Sequence, residues 1–288
     1  IAIFFRNGER TSCSVEKEFM DKAVIMARGL GTRMRAANEG AELDEDQAAV
    51  ATTGVKALMP IGRPFLDYSL GALAGAGYRK ICLVIGPEHE MLRRYCDNEL
   101  SCDRINIEWT IQENPLGTAD AVVAAEAFAD GDDFIVINSD NYYPTLALEG
   151  LRSMSGPGVA AYSRESMIEH GNIEADRLLK FAVVEADIKG MLNRIIEKPT
   201  EQQLNCLTGE LGVGMNSWRF DSQIFEACRS IQLSARGEFE LPDAVQFAME
   251  QMGIPFIMRV YNEAVLDLSD KGDVESVKKR LENVEVNL

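Results

Sequence analysis

Histidine is scarce in this chain. His89 and His170 are the only two and stand far apart, which argues against a histidine-rich zinc site and leaves both expected at the surface. Basic charge is short as well: 29 lysines and arginines face 46 aspartates and glutamates, for a net charge of −17. Affinity for a phosphate backbone rests on clustered cations, so no nucleic-acid partner is expected, and any anionic ligand must be held locally. Long apolar runs are missing too. No stretch approaches the roughly 18 residues of a membrane span, so no membrane partner is expected. Paired cysteine motifs are absent: Cys13, Cys82, Cys96, Cys102, Cys206 and Cys228 are scattered without a C-x-x-C. They read as reduced thiols of a cytoplasmic protein, with Cys82 buried in a strand-like run. Internal repeats, low-complexity tracts and Pro/Gly/Ser linkers are lacking, and 288 residues suffice for one large α/β domain.

What is there begins with a short apolar opening that Arg6, Asn7 and Gly8 end before a secretory core could form. Residues 1–19 therefore read as an N-terminal extension, a hairpin turning at residues 7–9, with the domain running from 20 to 288. Strands are expected at 22–27, 80–85, 105–112 and 134–138, alternating with helices at 65–75, 88–96 and 119–128. That alternation predicts a three-layer α/β/α, Rossmann-like, mixed but mainly parallel sheet. The second half is less regular, with strand-like PGVAAYS, LLKFAVVEA, GMLNRIIEKP and GVGMNSWRF and helices at 220–230, 239–252 and 274–285. The acidic stretch 38–54 reads as a solvated flap, with a lid over nucleotide as the alternative.

In a parallel sheet ligands bind at the carboxyl ends of the strands, which gathers residues 28–33, 112–118 and 139–141 on one rim. The first of these, Arg28-Gly29-Leu30-Gly31-Thr32-Arg33, has neither the third glycine of a dinucleotide fingerprint nor the spacing of a Walker loop. A phosphate cradle with Arg33 beside free backbone amides and an ordinary glycine turn are both open. Asp140 ends a buried strand, and Asp267 follows another apolar run. Carboxylates in such places need hydration, a cation or a metal, and Mg²⁺ shared with phosphates needs only one or two of them. Asp270 and Asp273 read as turn or helix-cap residues. Glu197 and Lys198 sit at a strand end, where alternation would send them to different groups of one ligand.

Taken in order, ARGLGTRM, GVKALMPIGRPFLDYSL, QENPLGTADAV, VINSDNYY, IIEKPT, GEFELPDAV and AVLDLSDKGD resemble the sugar-1-phosphate nucleotidyltransferases, which include glucose-1-phosphate thymidylyl- and uridylyltransferases. The resemblance runs from about Met20 to the C-terminus. It implies Mg²⁺-dependent transfer of a nucleotidyl group from a nucleoside triphosphate to a sugar 1-phosphate, releasing pyrophosphate. Gly29, Leu30, Gly31, Thr32, Gln112, Gly117 and Thr118 would bind nucleotide. Arg33, Lys56 and Lys198 would be the catalytic cations, Asp140 and Asp267 the metal ligands, and Asn141, Ala182, Glu197 and Lys198 the sugar-phosphate side.

The chain also departs from that pattern. Arg28 and Val55 stand where the family has alanine and proline, the loop between Arg33 and Lys56 is long, Ala182 replaces a glycine at the sugar, and Ser269-Asp270 replaces Gly-Thr after Asp267. The triphosphate half reads as intact, and the altered sugar side leaves open a cytidylyltransferase-like enzyme for a non-sugar alcohol phosphate, or a non-catalytic sensor of nucleotide or sugar phosphate. No left-handed β-helix repeats follow, so the acyltransferase arm of some relatives is not expected. Self-association into a homo-oligomer is left open.

Overall fold

The protein is described by a computed structural model over residues 20–36 and 42–288. The extension 1–19 with its expected hairpin, and residues 38–41 of the acidic stretch, lie outside the described residues.

Strand β1 (Lys22–Met26) shows how the sequence dictates the layers. Every residue of KAVIM is buried, and alternation sends Ala23 and Ile25 into one core and Val24 and Met26 into the other. Only Lys22 is polar. It sits at the strand start, where its ammonium donates to the carbonyls of Phe128 (3.0 Å) and Ala129 (2.8 Å) and pairs with Asp132. The remaining strands are β2 (Lys80–Ile85), β3 (Asn106–Ile111), β4 (Phe134–Asn138), β5 (Asn141–Tyr142), β6 (Gly158–Tyr162), β7 (Ala182–Ala186), β8 (Leu192–Ile196), β9 (Glu210–Phe220), β10 (Ile257–Tyr261) and β11 (Leu266–Asp267).

The main sheet runs β10-β6-β9-β4-β1-β2-β3, with β7 and β8 extending from β9. Pairs within β4-β1-β2-β3 are parallel, as is β6 with β10, whereas β9 is antiparallel to β4, β6 and β7. Helices Phe65–Gly75 and Thr145–Ser153 cover one face; Thr118–Ala124, Ile224–Ser230 and Leu241–Glu250 cover the other. Phe134, Trp218, Phe220 and Phe225 stack in the second core, each ring contributing about 1.5–3 kcal/mol by burial. The expected three-layer α/β/α architecture is therefore what the chain forms. No described helix is long and apolar enough to cross a membrane.

Three expectations need correction. The acidic stretch is not simply a flap: Glu45–Thr53 is a helix capped by a reciprocal Asp44–Gln47 box. Its Ala51 packs in a third core with Met34, Phe65 and Leu281. His89 is buried, not at the surface, and its Nδ1 accepts the N–H of Gly86 at 3.2 Å; His170 is exposed as expected. Asp273 is not a simple cap. It is buried, bridges to Arg177 at 2.6 Å and accepts the N–H groups of Ser269 and Asp270.

Candidate active site

Two cavities open at the carboxyl ends of the parallel strands, one of about 490 Å³ and one of about 600 Å³. They share Thr118, Asn138, Asp140, Asn216 and Glu238, so they are two lobes of one site. The first lobe is lined by Gly29, Leu30, Thr32, Lys56, Gln112 and Gly117. The second is lined by Arg33, Asn141, Ala182, Glu197, Lys198 and Asp267. Every site residue expected from the sequence lies on one of these walls except Gly31.

Gly31 has a different duty. It sits at φ +59° and a Cβ there would stand 2.2 Å from the carbonyl oxygen of Gly54, so this glycine permits two backbones to touch. A Cβ on Gly29 would meet nothing within 4 Å; the space beside it belongs to the cavity. Gly117, at φ +116°, lets the chain press on Phe239, whose carbonyl would lie 2.4 Å from a Cβ. That contact is locked by Ala119 N–H to Phe239 C=O and Phe239 N–H to Leu116 C=O.

At the junction of the lobes the Lys56 ammonium donates to Asp140 at 2.7 Å. Asp267 lies across from it on β11, which pairs with β5 immediately after Asp140 and so brings the two carboxylates together. Asp267 is nearly inaccessible and is gripped by Asn141 Nδ2 at 3.0 Å and Arg177 at 2.9 Å. Asn172 fixes its backbone on both sides, at 2.8 Å each. Burial, with the nearby charge of Asp140 second, pushes its carboxyl up to about 6. Asn141, expected to face the sugar, thus spends its amide on orienting Asp267, while its Oδ1 accepts from Asn138 at 2.9 Å.

Arg33 stands on the helix Thr32–Arg35 and faces the second lobe, not the first where the cradle lies. Glu197 and Lys198 do not divide by strand alternation. Strand β8 ends at Ile196 and Lys198 takes a left-handed φ of +47°, so both side chains line the same lobe. Burial, then the charge of Glu240, raises the carboxyl of Glu197. Ala182 forms part of that wall.

The sequence reading missed Arg177, Lys180, Arg236, Glu238 and Asn216, all of which line the second lobe. Arg236 immediately precedes GEFELPDAV and Glu238 is its second residue, so both could have been found there, and Arg236 is held by Glu240 four residues on. Asn216 carries a φ of +52° inside β9, a conformation no sequence signal announces.

The family described as nucleotidyl transferase matches this chain over residues 22–262. Among curated proteins, the low-salt glycan biosynthesis nucleotidyltransferase Agl11 of Haloferax volcanii is 27% identical over 234 residues, 80% of this chain and 57% of its own length. The UTP–glucose-1-phosphate uridylyltransferase AglF of the same organism is 26% identical over 225 residues, 78% of this chain and 82% of its own. The chain thus spans little more than half the length of the first relative. Among solved structures, a UDP-glucose pyrophosphorylase complexed with UDP-glucose superposes with a TM-score of 0.71 at 17% identity, over 92% of this chain and 100% of that one. At that identity the likeness establishes the fold.

Proposed function

The chain belongs to the nucleotidyl transferase family, and from that premise we propose that it transfers a nucleotidyl group from a nucleoside triphosphate to a sugar 1-phosphate, yielding a nucleoside diphosphate sugar and pyrophosphate. The observation that carries this reading is the junction: two adjoining cavities, each sized for one small substrate, meet at Asp140 and Lys56. The triphosphate enters the first lobe with its phosphates along Gly29, where the missing side chain leaves room for close approach, and reaches Lys56. The acceptor enters the second lobe, its phosphate among Arg33 and Lys198 and its sugar against Glu197 and Ala182.

A phosphate oxygen of the acceptor attacks the α-phosphorus. The new P–O bond forms as the bond to the bridging oxygen breaks, and the electron pair leaves with pyrophosphate. The acceptor phosphate is already ionised at neutral pH, so no general base is needed, in keeping with a junction that holds no histidine or cysteine. Arg33, Lys56 and Lys198 offset negative charge as it shifts, from fixed positions in a partly desolvated site. The donor set at the junction fits a divalent cation: one carboxylate from β11 and one from the turn that leads into its partner strand β5, the first held at raised pKa partly by the other's charge. Asp140 and Asp267 would hold Mg²⁺, which when bound supplies charge neutralisation at the reacting phosphates. Nucleotide and sugar phosphate are its partners in this reading.

Release of pyrophosphate from a matrix of nucleoside triphosphates against sugar 1-phosphates tests it. At least one combination is expected to turn over with Mg²⁺. Turnover only with an alcohol phosphate such as phosphocholine would replace the sugar reading, and no release from any pair would leave a binding protein.

A further inference from the structure

One charged side chain on the first lobe has no role in the reaction just described. Arg28 is buried to 8% exposure at the end of β1, where the family pattern has alanine. Strand order places its head group. Asp140 follows β4, on one side of β1, whereas the Arg28 guanidinium reaches toward the ends of β2 and β3 on the other: Nε–H donates to the Gln112 carbonyl at 3.0 Å and Nη1 pairs with Glu88. From β4 to β3 is three strand spacings, about 14 Å, a distance that a ribose and a base cover when the phosphates lie at the junction. Arg28 therefore stands at the base end of the lobe, with Gln112 and Pro115.

The polar atoms there have fixed roles. Both protons of the Gln112 amide are taken, by the Gly117 carbonyl at 3.0 Å and the Asp120 carboxylate at 2.7 Å. Because both partners are acceptors, the orientation of the amide is determined, and Oε1 is left as an acceptor without a donor among the described residues. Arg28 has donors only, and Nη2 has no partner among the described residues. An acceptor and a cationic donor carried by two hydrogen-bonded residues at the same end of the lobe match a ring carbonyl next to a ring N–H, the lactam edge of uracil, thymine and guanine. Cytosine and adenine carry no ring N–H beside a carbonyl.

We propose that Arg28 selects the nucleobase, favouring the lactam bases uracil, thymine and guanine over cytosine and adenine. This rests on the first lobe being the nucleotide site. Gly86 makes the arrangement possible, since a Cβ there would lie 2.5 Å from both Arg28 Nε and Glu88 Oε2. Its replacement by alanine moves the guanidinium without deleting the charge.

Calorimetric titration of the protein with UTP, dTTP, GTP, CTP and ATP, without acceptor, tests the assignment. The wild type is expected to bind at least one lactam nucleotide more tightly than CTP and ATP. Arg28→Met should weaken that nucleotide about tenfold or more while CTP and ATP change by less than about twofold, the size of one lost charged hydrogen bond. Gly86→Ala should shift preference in the same direction and carries the test should Arg28→Met fail to fold. Equal weakening of all five nucleotides, or a wild type that prefers ATP or CTP, overturns the role of Arg28 while leaving a nucleotide site standing. A wild type that binds none of the five overturns the nucleotidyl reading itself, and this inference with it.

Discussion

The two lobes of the site are built by different means. The first sets bare backbone at Gly29, Gly54 and Gly117 beside a few polar side chains, and it stands on the regular parallel strands β1 to β4. The second is mostly side chain: Arg33, Arg177, Lys180, Lys198 and Arg236 line it together with Asp140, Glu197, Glu238, Glu240 and Asp267, most of them on the antiparallel strands and bends of the second half. The first lobe's glycines fix where phosphates go by shape, and a substitution at one of them acts by steric exclusion. A charge-built lobe can change its ligand by changing one residue, and two of the departures from the family pattern, Ala182 and Ser269, line it.

The largest effect is expected where the lobes meet. Asp140→Asn keeps the shape of the junction but removes an anionic donor, and turnover should fall by about two to three orders of magnitude. The circular dichroism spectrum should not change. Wild-type turnover at limiting Mg²⁺ would remove Asp140 from the metal site and with it the idea that both lobes serve one reaction.

Within the second lobe, Lys198→Ala and Glu197→Gln should part company. Loss of the ammonium should raise KM for the acceptor and slow the step, by about 10- to 100-fold in kcat/KM, with KM for the nucleotide little changed. Glu197→Gln should cost less and chiefly narrow the ratio of rates between competing sugar 1-phosphates. Steady-state kinetics with each substrate varied in turn separates the two. Parallel changes in both variants would mean that the pair acts as one ion pair.

This contrast also explains what could be read from the sequence. Strands β2 and β4 and the helix Phe65–Gly75 have the bounds their apolar runs predict, because buried parallel strands leave continuous apolar stretches between turn residues. The first lobe's walls follow from that pattern once the strand ends are known. The second lobe depends on a bend at Lys198, a left-handed Asn216 and an arginine, Arg177, that joins Asp267 to Asp273 across 90 and 96 residues of chain. None of these is a local signal. The helix Glu45–Thr53 escaped for a related reason: its buried face consists of small and polar residues, Gln47 and Ala51, and only the Asp44 cap marked it.

The first lobe can be tested by its own glycines. Gly31→Ala forces a side chain into the Gly54 carbonyl from a left-handed φ and should destabilise the fold by about 1–3 kcal/mol, read as a lowered midpoint in thermal or urea unfolding. Gly29→Ala meets no protein atom and should leave that midpoint alone while weakening nucleotide binding. If the two variants unfold alike, the division between a packing glycine and a phosphate-facing glycine is wrong.

The smallest effect belongs to His89, three residues beyond Gly86 and close to the Arg28–Glu88 pair. Burial holds its pKa below the ordinary 6.5, with Glu88 pulling the other way and Arg28 adding to the depression. Geometry agrees, since Nδ1 must be unprotonated to accept the Gly86 N–H. The unfolded chain takes up a proton near pH 6.5 and the folded chain only at lower pH, so between those values the unfolded state binds more protons. This contribution to stability is therefore complete above about pH 6.5 and is lost as pH falls through that window toward the folded pKa. Proton NMR should find the His89 ring titrating below 6.5. His89→Gln, which keeps an acceptor without a titrating group, should flatten the decline in Tm between pH 7 and pH 5 by about 1–3 °C relative to the wild type. A His89 midpoint at or above 6.5 would show that the bond to Gly86 does not hold in solution, and the loop that seats Arg28 would then lack its anchor.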